Sequence, residues 1–210
     1  MAETKTEHLQ YNTMTLNGQG HVTTNPNTAV IRLGVQTIGE NIEAIQSENA
    51  ELSENVIQAL TELGITNIRT FQYVIDKNYE FEDGIRVDKG YIVRNILEIQ
   101  INDLDNAGFV IDTAVNNGAN VVDFISFEVD DPSMFYQQAL NLAIMDAMRK
   151  AKSIARQLDT PFDPIPIRIV ENSSSPMPRS QQYFLREIAS TPIEPGIKQI
   201  DAFVSVEFIF

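Results

Sequence analysis

Two carboxylate pairs, Asp103/Asp105 and Asp130/Asp131, are the side chains of this chain best placed by spacing to do chemistry. Acids this close can divide acid and base roles, or bind a hard divalent cation through oxygen. Each pair also stands where a helix is expected to begin, and a carboxylate there satisfies free backbone N–H groups with no further chemistry. Capping is therefore the expectation. A small-ligand or divalent-cation module built on the acidic pairs is the alternative.

Other chemistries find less support. His8 and His21 have no partner at H-x-x-x-H or H-E-x-x-H spacing, so no metal ligand is assigned. The chain has no cysteine, which removes disulfides, thiol nucleophiles and thiolate metal sites. There is no G-x-S-x-G elbow, and Ser173 to Ser175 read as loop residues. Gly18-Gln19-Gly20 lies inside a strand pattern instead of opening a helix, so it is read as a bulge and not as a phosphate loop. Phe71, Tyr73, Tyr79, Phe81 and Tyr91 are expected to pack in the core and across strands. No catalytic, cofactor-binding or metal residue is assigned.

Composition narrows the partners. A formal charge of −14 with a pI near 4.4 opposes nucleic acid and anionic membrane, because polyphosphate binding draws its affinity from cations that displace counterions. Length 210 and 43% apolar content suffice for a sizeable core. No apolar run reaches the roughly 18 residues of a transmembrane helix. The start, MAETKTEHLQYN, has neither a basic leader nor an apolar stretch, which points to the cytoplasm for the chain as given, or to an exported or envelope location if a leader has been removed.

The elements that must position these residues follow from periodicity. Met14 to Val22 and Ala29 to Ile38 flank the turn Asn25-Pro26-Asn27 and predict a hairpin. Asn41 to Leu63 predicts a helix stopped by Gly64, with Ile45, Asn49, Leu52, Val56, Ala59 and Leu63 inward and a glutamate-rich exterior. Ile68 to Tyr79 and Gly90 to Ile101 predict strands joined through Asp83-Gly84, with Ile85 to Lys89 left as strand or loop. Asn102 to Asn117 predicts a short helix capped by Asn102 or Asp103, and Asn120 to Val129 a strand.

From Pro132 a long helix carries Tyr136, Leu140, Ala143, Ala147, Ala151, Ile154 and Leu158 at spacings of three and four. Arg149, Lys150, Lys152 and Arg156 near its end complement the helix dipole. Pro164 to Val170 and Ile197 to Phe210 are strands, the last apolar on both faces and so expected to be covered on each side. Between them Glu171 to Gly196 has no periodicity and is longer than about 15 residues, a length expected of a segment that binds something or is disordered; Tyr183, Phe184 and Leu185 in its middle suggest an arm docked on a neighbour or a loop folded back on its own surface.

In order along the chain, Gly18-Gln19-Gly20, Asn25-Pro26-Asn27-Thr28-Ala29, Gly34-Val35, Asn49-Ala50, Leu63-Gly64-Ile65, Gly90-Tyr91, Gly118-Ala119-Asn120, Phe127 to Pro132, Ala147 to Ala155 and Pro195-Gly196 form a set. The set resembles the bacterial SIMPL-domain proteins. The resemblance implies an α+β fold in which antiparallel or mixed sheets pack on two long helices. It divides the chain into a flexible N-terminus at 1–12 and one domain at 13–210, with an inserted ββαβ piece at 66–129 and an extended arm at 171–196. It also implies large homo-oligomers without established enzymatic chemistry, in a stress or envelope setting, and relatives that often carry a leader. The expected function is noncatalytic self-assembly, with the chain itself as partner and with Tyr183, Phe184, Leu185, Phe208 and Phe210 as contact candidates.

Overall fold

The structure is a computed structural model, and it describes residues 12–82, 84–159, 163–172, 179–180 and 193–209. In chain order the elements are β1 (Thr13–Thr24), β2 (Thr28–Gly39), α1 (Ile42–Glu62), β3 (Ile68–Glu82), β4 (Ile85–Ile101), α2 (Ala107–Asn116, entered through a 3₁₀ turn at Leu104–Asn106), β5 (Val121–Glu128), α3 (Ser133–Gln157), β6 (Ile165–Glu171), β7 (Arg179–Ser180) and β8 (Lys198–Ile209). The fold is α+β with two antiparallel sheets. The described residues fall into two compact units, one within 12–24, 131–180 and 197–209 and the other within 25–130 and 193–196.

In the first unit the strand order is β1-β8-β6, with β7 also pairing β8. The predicted hairpin of the first two strands does not form, because β1 pairs along its whole length with β8 at the far end of the chain, Thr13 opposite Ile209 and Thr24 opposite Lys198. Asn25-Pro26-Asn27 is instead the crossing from one sheet to the other. The predicted bulge at Gly18 and Gly20 is absent too, since the β1–β8 register runs without a shift.

These glycines serve close packing. A Cβ on Gly18 would lie 2.0 Å from the Ala143 carbonyl oxygen, and one on Gly20 would lie 2.1 Å from that of Ala139. The α3 backbone therefore rests directly on the strand, which only residues without a side chain permit. The buried stripe of α3 is Ala139, Ala143, Ala147, Ala151 and Ala155, one alanine every fourth residue; the predicted line holds at Ala143, Ala147 and Ala151, with Tyr136 and Leu140 packed against the same core, and fails at Ile154 and Leu158. Ile154 and Leu158 are exposed. On the sheet side Val204, Val206 and Phe208 are fully or almost fully buried against these alanines, and each large side chain there contributes about 1.5–3 kcal/mol. The other face of β8 is half-exposed and includes Phe203, so the expected cover on both sides is not present among the described residues.

The second unit has the strand order β3-β4-β2-β5, with α1 and α2 over one face. Its core joins Ile31, Leu33 and Val35 of β2, Leu97 and Ile99 of β4, Val56 and Leu60 of α1, and Val110 and Ala114 of α2. The ββαβ run at 66–129 occurs in the order expected, within a sheet whose interior strands are β4 and β2. Ile85 to Lys89 are strand, extending β4 into a long ribbon with β3. The turn of that ribbon has Gly84 at φ +81°, while Asp83 lies outside the described residues.

Helix α1 starts at an Asn41 cap whose side chain accepts from Ala44 N. It ends with Gly64 at φ +82°, Gly64 N donating to Thr61 O and Ile65 N to Leu60 O, the paired bonds of a Schellman motif. The same pair closes α2 through Gly118. The inward stripe of α1 is Ile45, Asn49, Ser53, Val56 and Leu60. It matches the prediction at Ile45, Asn49 and Val56; Ser53 and Leu60 are buried where Leu52 and Ala59 are expected, Leu52 being partly buried, and Leu63 is exposed. The fully buried Asn49 is satisfied, its Nδ2 donating to Val35 O at 3.0 Å and to Val93 O at 3.2 Å.

Candidate interaction surfaces

The described surface is most unusual at β6. All seven of its residues are exposed, and Ile165, Ile167, Ile169 and Val170 show between 39% and 58% of their surface to solvent. Among the described residues β6 pairs only with β8, so its outer side carries unpaired backbone groups from Ile167 onward, with Pro166 interrupting the first part. A β-branched strand left open along one edge is a template for another strand. The signal was in the sequence: Ile165-Pro166-Ile167-Arg168-Ile169 alternates, and a proline inside a strand marks an edge.

Close by in the first unit, α3 is bonded to β1 by charge. Asp146 accepts from Gln19 N at 3.2 Å, and pairs with Lys150 at 2.6 Å and Arg149 at 2.7 Å. Lys150 then donates to Asn17 O at 2.9 Å. Those two cations hold the Asp146 carboxyl at about 2, well below its ordinary 3.8. Of the basic cluster at the end of α3, Lys150 thus serves the strand contact, while Arg149, Lys152 and Arg156 point outward with Met145 and Met148 along a shallow groove of about 450 Å³.

On the second unit, the sheet face away from α1 carries Arg32 with its guanidinium 3.7 Å from the centroid of Phe71 and 5.2 Å from that of Phe124. Glu98, 8% exposed, accepts from Arg69 and Arg32. The guanidinium groups of Arg69 and then Arg32 keep its carboxyl below the usual range. Every member is matched within the unit, so this constellation fixes β2, β3 and β4 together. The predicted core role of the β3 aromatics is not found: Phe71, Tyr73, Tyr79 and Phe81 are exposed. Tyr79 and Tyr91 are covered by cations instead, Arg86 at 3.6 Å and Lys77 at 4.1 Å from the ring centroids.

The acidic pairs separate. Asp131 accepts from Ser133 N at 3.0 Å at the start of α3, and the Ser133 hydroxyl and N–H hold its carboxyl below its ordinary value. This is the capping reading, although the residue at the formal cap position is Pro132. Asp105 is exposed on the 3₁₀ turn. Asp103 and Asp130, one from each pair, line the same cleft of about 670 Å³ with Asn67, Gln100, Asn102 and Asn106. There Asn106 Nδ2 donates to Asp103 at 2.7 Å, and Asn67 Nδ2 to Gln100 Oε1 at 2.8 Å. Neither Asp103 nor Asn102 caps the helix through its side chain. Among the described residues no three His, Cys, Asp or Glu side chains converge as a metal site would need. His21 is exposed on β1, and His8 lies outside the described residues.

Of the expected contact residues, Phe208 is fully buried in its own unit beneath α3, where a second copy cannot reach it. Tyr183, Phe184, Leu185 and Phe210 lie outside the described residues. No described helix is long and apolar enough to cross a membrane.

The chain is 28% identical to the 26 kDa periplasmic immunogenic protein of Brucella melitensis over 208 residues, covering 91% of this chain and 82% of the relative. It is 27% identical to the protein of the same name in Brucella abortus, with the same coverage. It is 25% identical over 107 residues to the uncharacterized protein YggE of Escherichia coli K12, covering 51% of this chain and 42% of the relative. Residues 14–208 match the SIMPL family model, described as a protein of unknown function (DUF541), and the chain belongs to that family.

Proposed function

We propose that this chain is a noncatalytic, envelope-associated protein that acts by assembling with copies of itself, the outer edge of β6 forming a subunit contact. The observation that carries the reading is the exposed, β-branched, one-sidedly paired strand Ile165–Glu171. Strand addition at that edge satisfies backbone groups and buries isoleucine in the same step. The periplasmic description of the Brucella relatives supports the envelope setting.

The absence of native cysteine gives a clean test. Thiols introduced singly by Ile167→Cys, Arg168→Cys and Ile169→Cys should form a covalent dimer under mild oxidation. A Thr15→Cys control, on the exposed polar face of β1, should not. Equal, slow cross-linking at all four positions would show collision alone and refute the β6 contact.

A further inference from the structure

Two helices of this chain present opposite charges to solvent. Helix α1 contains five glutamates, Glu43, Glu48, Glu51, Glu54 and Glu62, with no lysine or arginine, and all five are exposed. At 100° per residue they occupy one arc of about 140°. The last two turns of α3 present Arg149, Lys152 and Arg156 within an arc of about 60°, on the side opposite its alanine stripe. The same side carries the exposed side chains Leu142, Met145 and Met148. Among the described residues Arg149 pairs with Asp146, while Lys152 and Arg156 make no ion pair.

A cationic strip on a chain of net charge −14 is a local reversal of sign, and the glutamate face of α1 on another copy is its complement. Resting on the self-assembly reading, we infer that the outer face of α3 from Leu142 to Arg156 docks on the glutamate face of α1 of a second copy. The match is by sign and by length. Glu48, Glu51 and Glu54 span about 9 Å along their axis, and Arg149, Lys152 and Arg156 about 10 Å along theirs. Contact of this kind brings two different patches together: made reciprocally about a two-fold axis it closes a dimer, and made in one direction it is heterologous and propagates into a ring or a filament. The methionines give the contact a deformable apolar border.

Exposed ion pairs gain little singly, so the contact is cooperative and sensitive to salt. Raising salt from about 0.1 M to about 1 M shortens the Debye length from about 10 Å to about 3 Å, and should lower the assembly mass at least twofold. Two charge-reversed proteins give the specific test. One carries Arg149→Glu, Lys152→Glu and Arg156→Glu; the other carries Glu48→Lys, Glu51→Lys and Glu54→Lys. Each alone presents like charges at both faces and should show a mass at least twofold below wild type in low salt, with native circular dichroism. Mixed in equal amounts, each supplies the face the other lacks, and the larger species should return.

Wild-type mass in either reversed protein, or a loss that mixing does not restore, overturns the contact. So does an α3-reversed protein that keeps its mass but no longer binds phosphatidylglycerol vesicles, which would assign the strip to a lipid surface. A wild-type chain that is monomeric at low salt removes the self-assembly reading itself. An assembly broken at β6 but indifferent to charge reversal removes the α3–α1 contact alone.

Discussion

At the scale of single residues, the fold depends on a few polar side chains in places where apolar ones would be the default. Asn49 is fully buried and holds α1 to two strands through Val35 O and Val93 O. Asn49→Ala removes both bonds and should cost about 2–3 kcal/mol, read as a lower urea midpoint with an unchanged denaturant slope. Asp146 has a folded pKa of about 2 against an ordinary 3.8. The depressed value means that the native state favours the carboxylate, so its contribution is complete above about pH 4 and is lost as pH falls from 4 towards 2. Allowing for screening, that contribution is roughly 1–2 kcal/mol, and Asp146→Asn should remove it at pH 7 while flattening this part of the acid limb of the stability curve. An unchanged acid limb in the variant would contradict the ion cluster as described. The sequence announced Asn49 as an inward position but gave no hint of its two carbonyl partners, because both come from distant strands.

At the scale of elements, local signals held and distant pairings did not. Helix α1 lies within a residue of its predicted limits because Asn41 and Gly64 are short-range punctuation, read from their own φ preference and side-chain chemistry. The hairpin of β1 and β2 failed because Pro26 and its neighbours mark a change of direction without saying which strand comes next. The true partner of β1 is β8, separated by most of the chain. On α3 the spacing holds at Ala143, Ala147 and Ala151 and fails at the C-terminal end, where Ala155 is buried and Ile154 and Leu158 are not, because the selected surface is the smallest one, Ala139 to Ala155, facing Gly18 and Gly20. Small residues on both elements let the helix backbone touch the strand. Gly20→Ala places a methyl 2.1 Å from a backbone oxygen, and should cost about 3 kcal/mol or more as α3 is pushed away. A melting temperature within a degree of wild type would show that α3 does not sit as closely as described.

At the scale of the whole molecule, the surface and not an interior site is where this protein departs from an ordinary α+β fold. The acid pairs that looked chemical in the sequence are divided between a helix start, an exposed turn and a carboxamide-lined cleft. The residues read as contacts are in part core, as Phe208 shows. What the sequence did carry, in Ile165-Pro166-Ile167-Arg168-Ile169, was an edge strand that is exposed and pairs on one side alone among the described residues. The central claim is that this edge joins copies, and it is tested most directly by solution mass from light scattering coupled to size exclusion, at micromolar concentration and low salt. The wild-type chain is predicted to run at a multiple of its 23.6 kDa monomer mass, and Ile167→Lys with Ile169→Lys to reduce that mass at least twofold while leaving the far-ultraviolet circular dichroism unchanged. A 23.6 kDa species in the wild type, or an assembly indifferent to the two lysines, would contradict it.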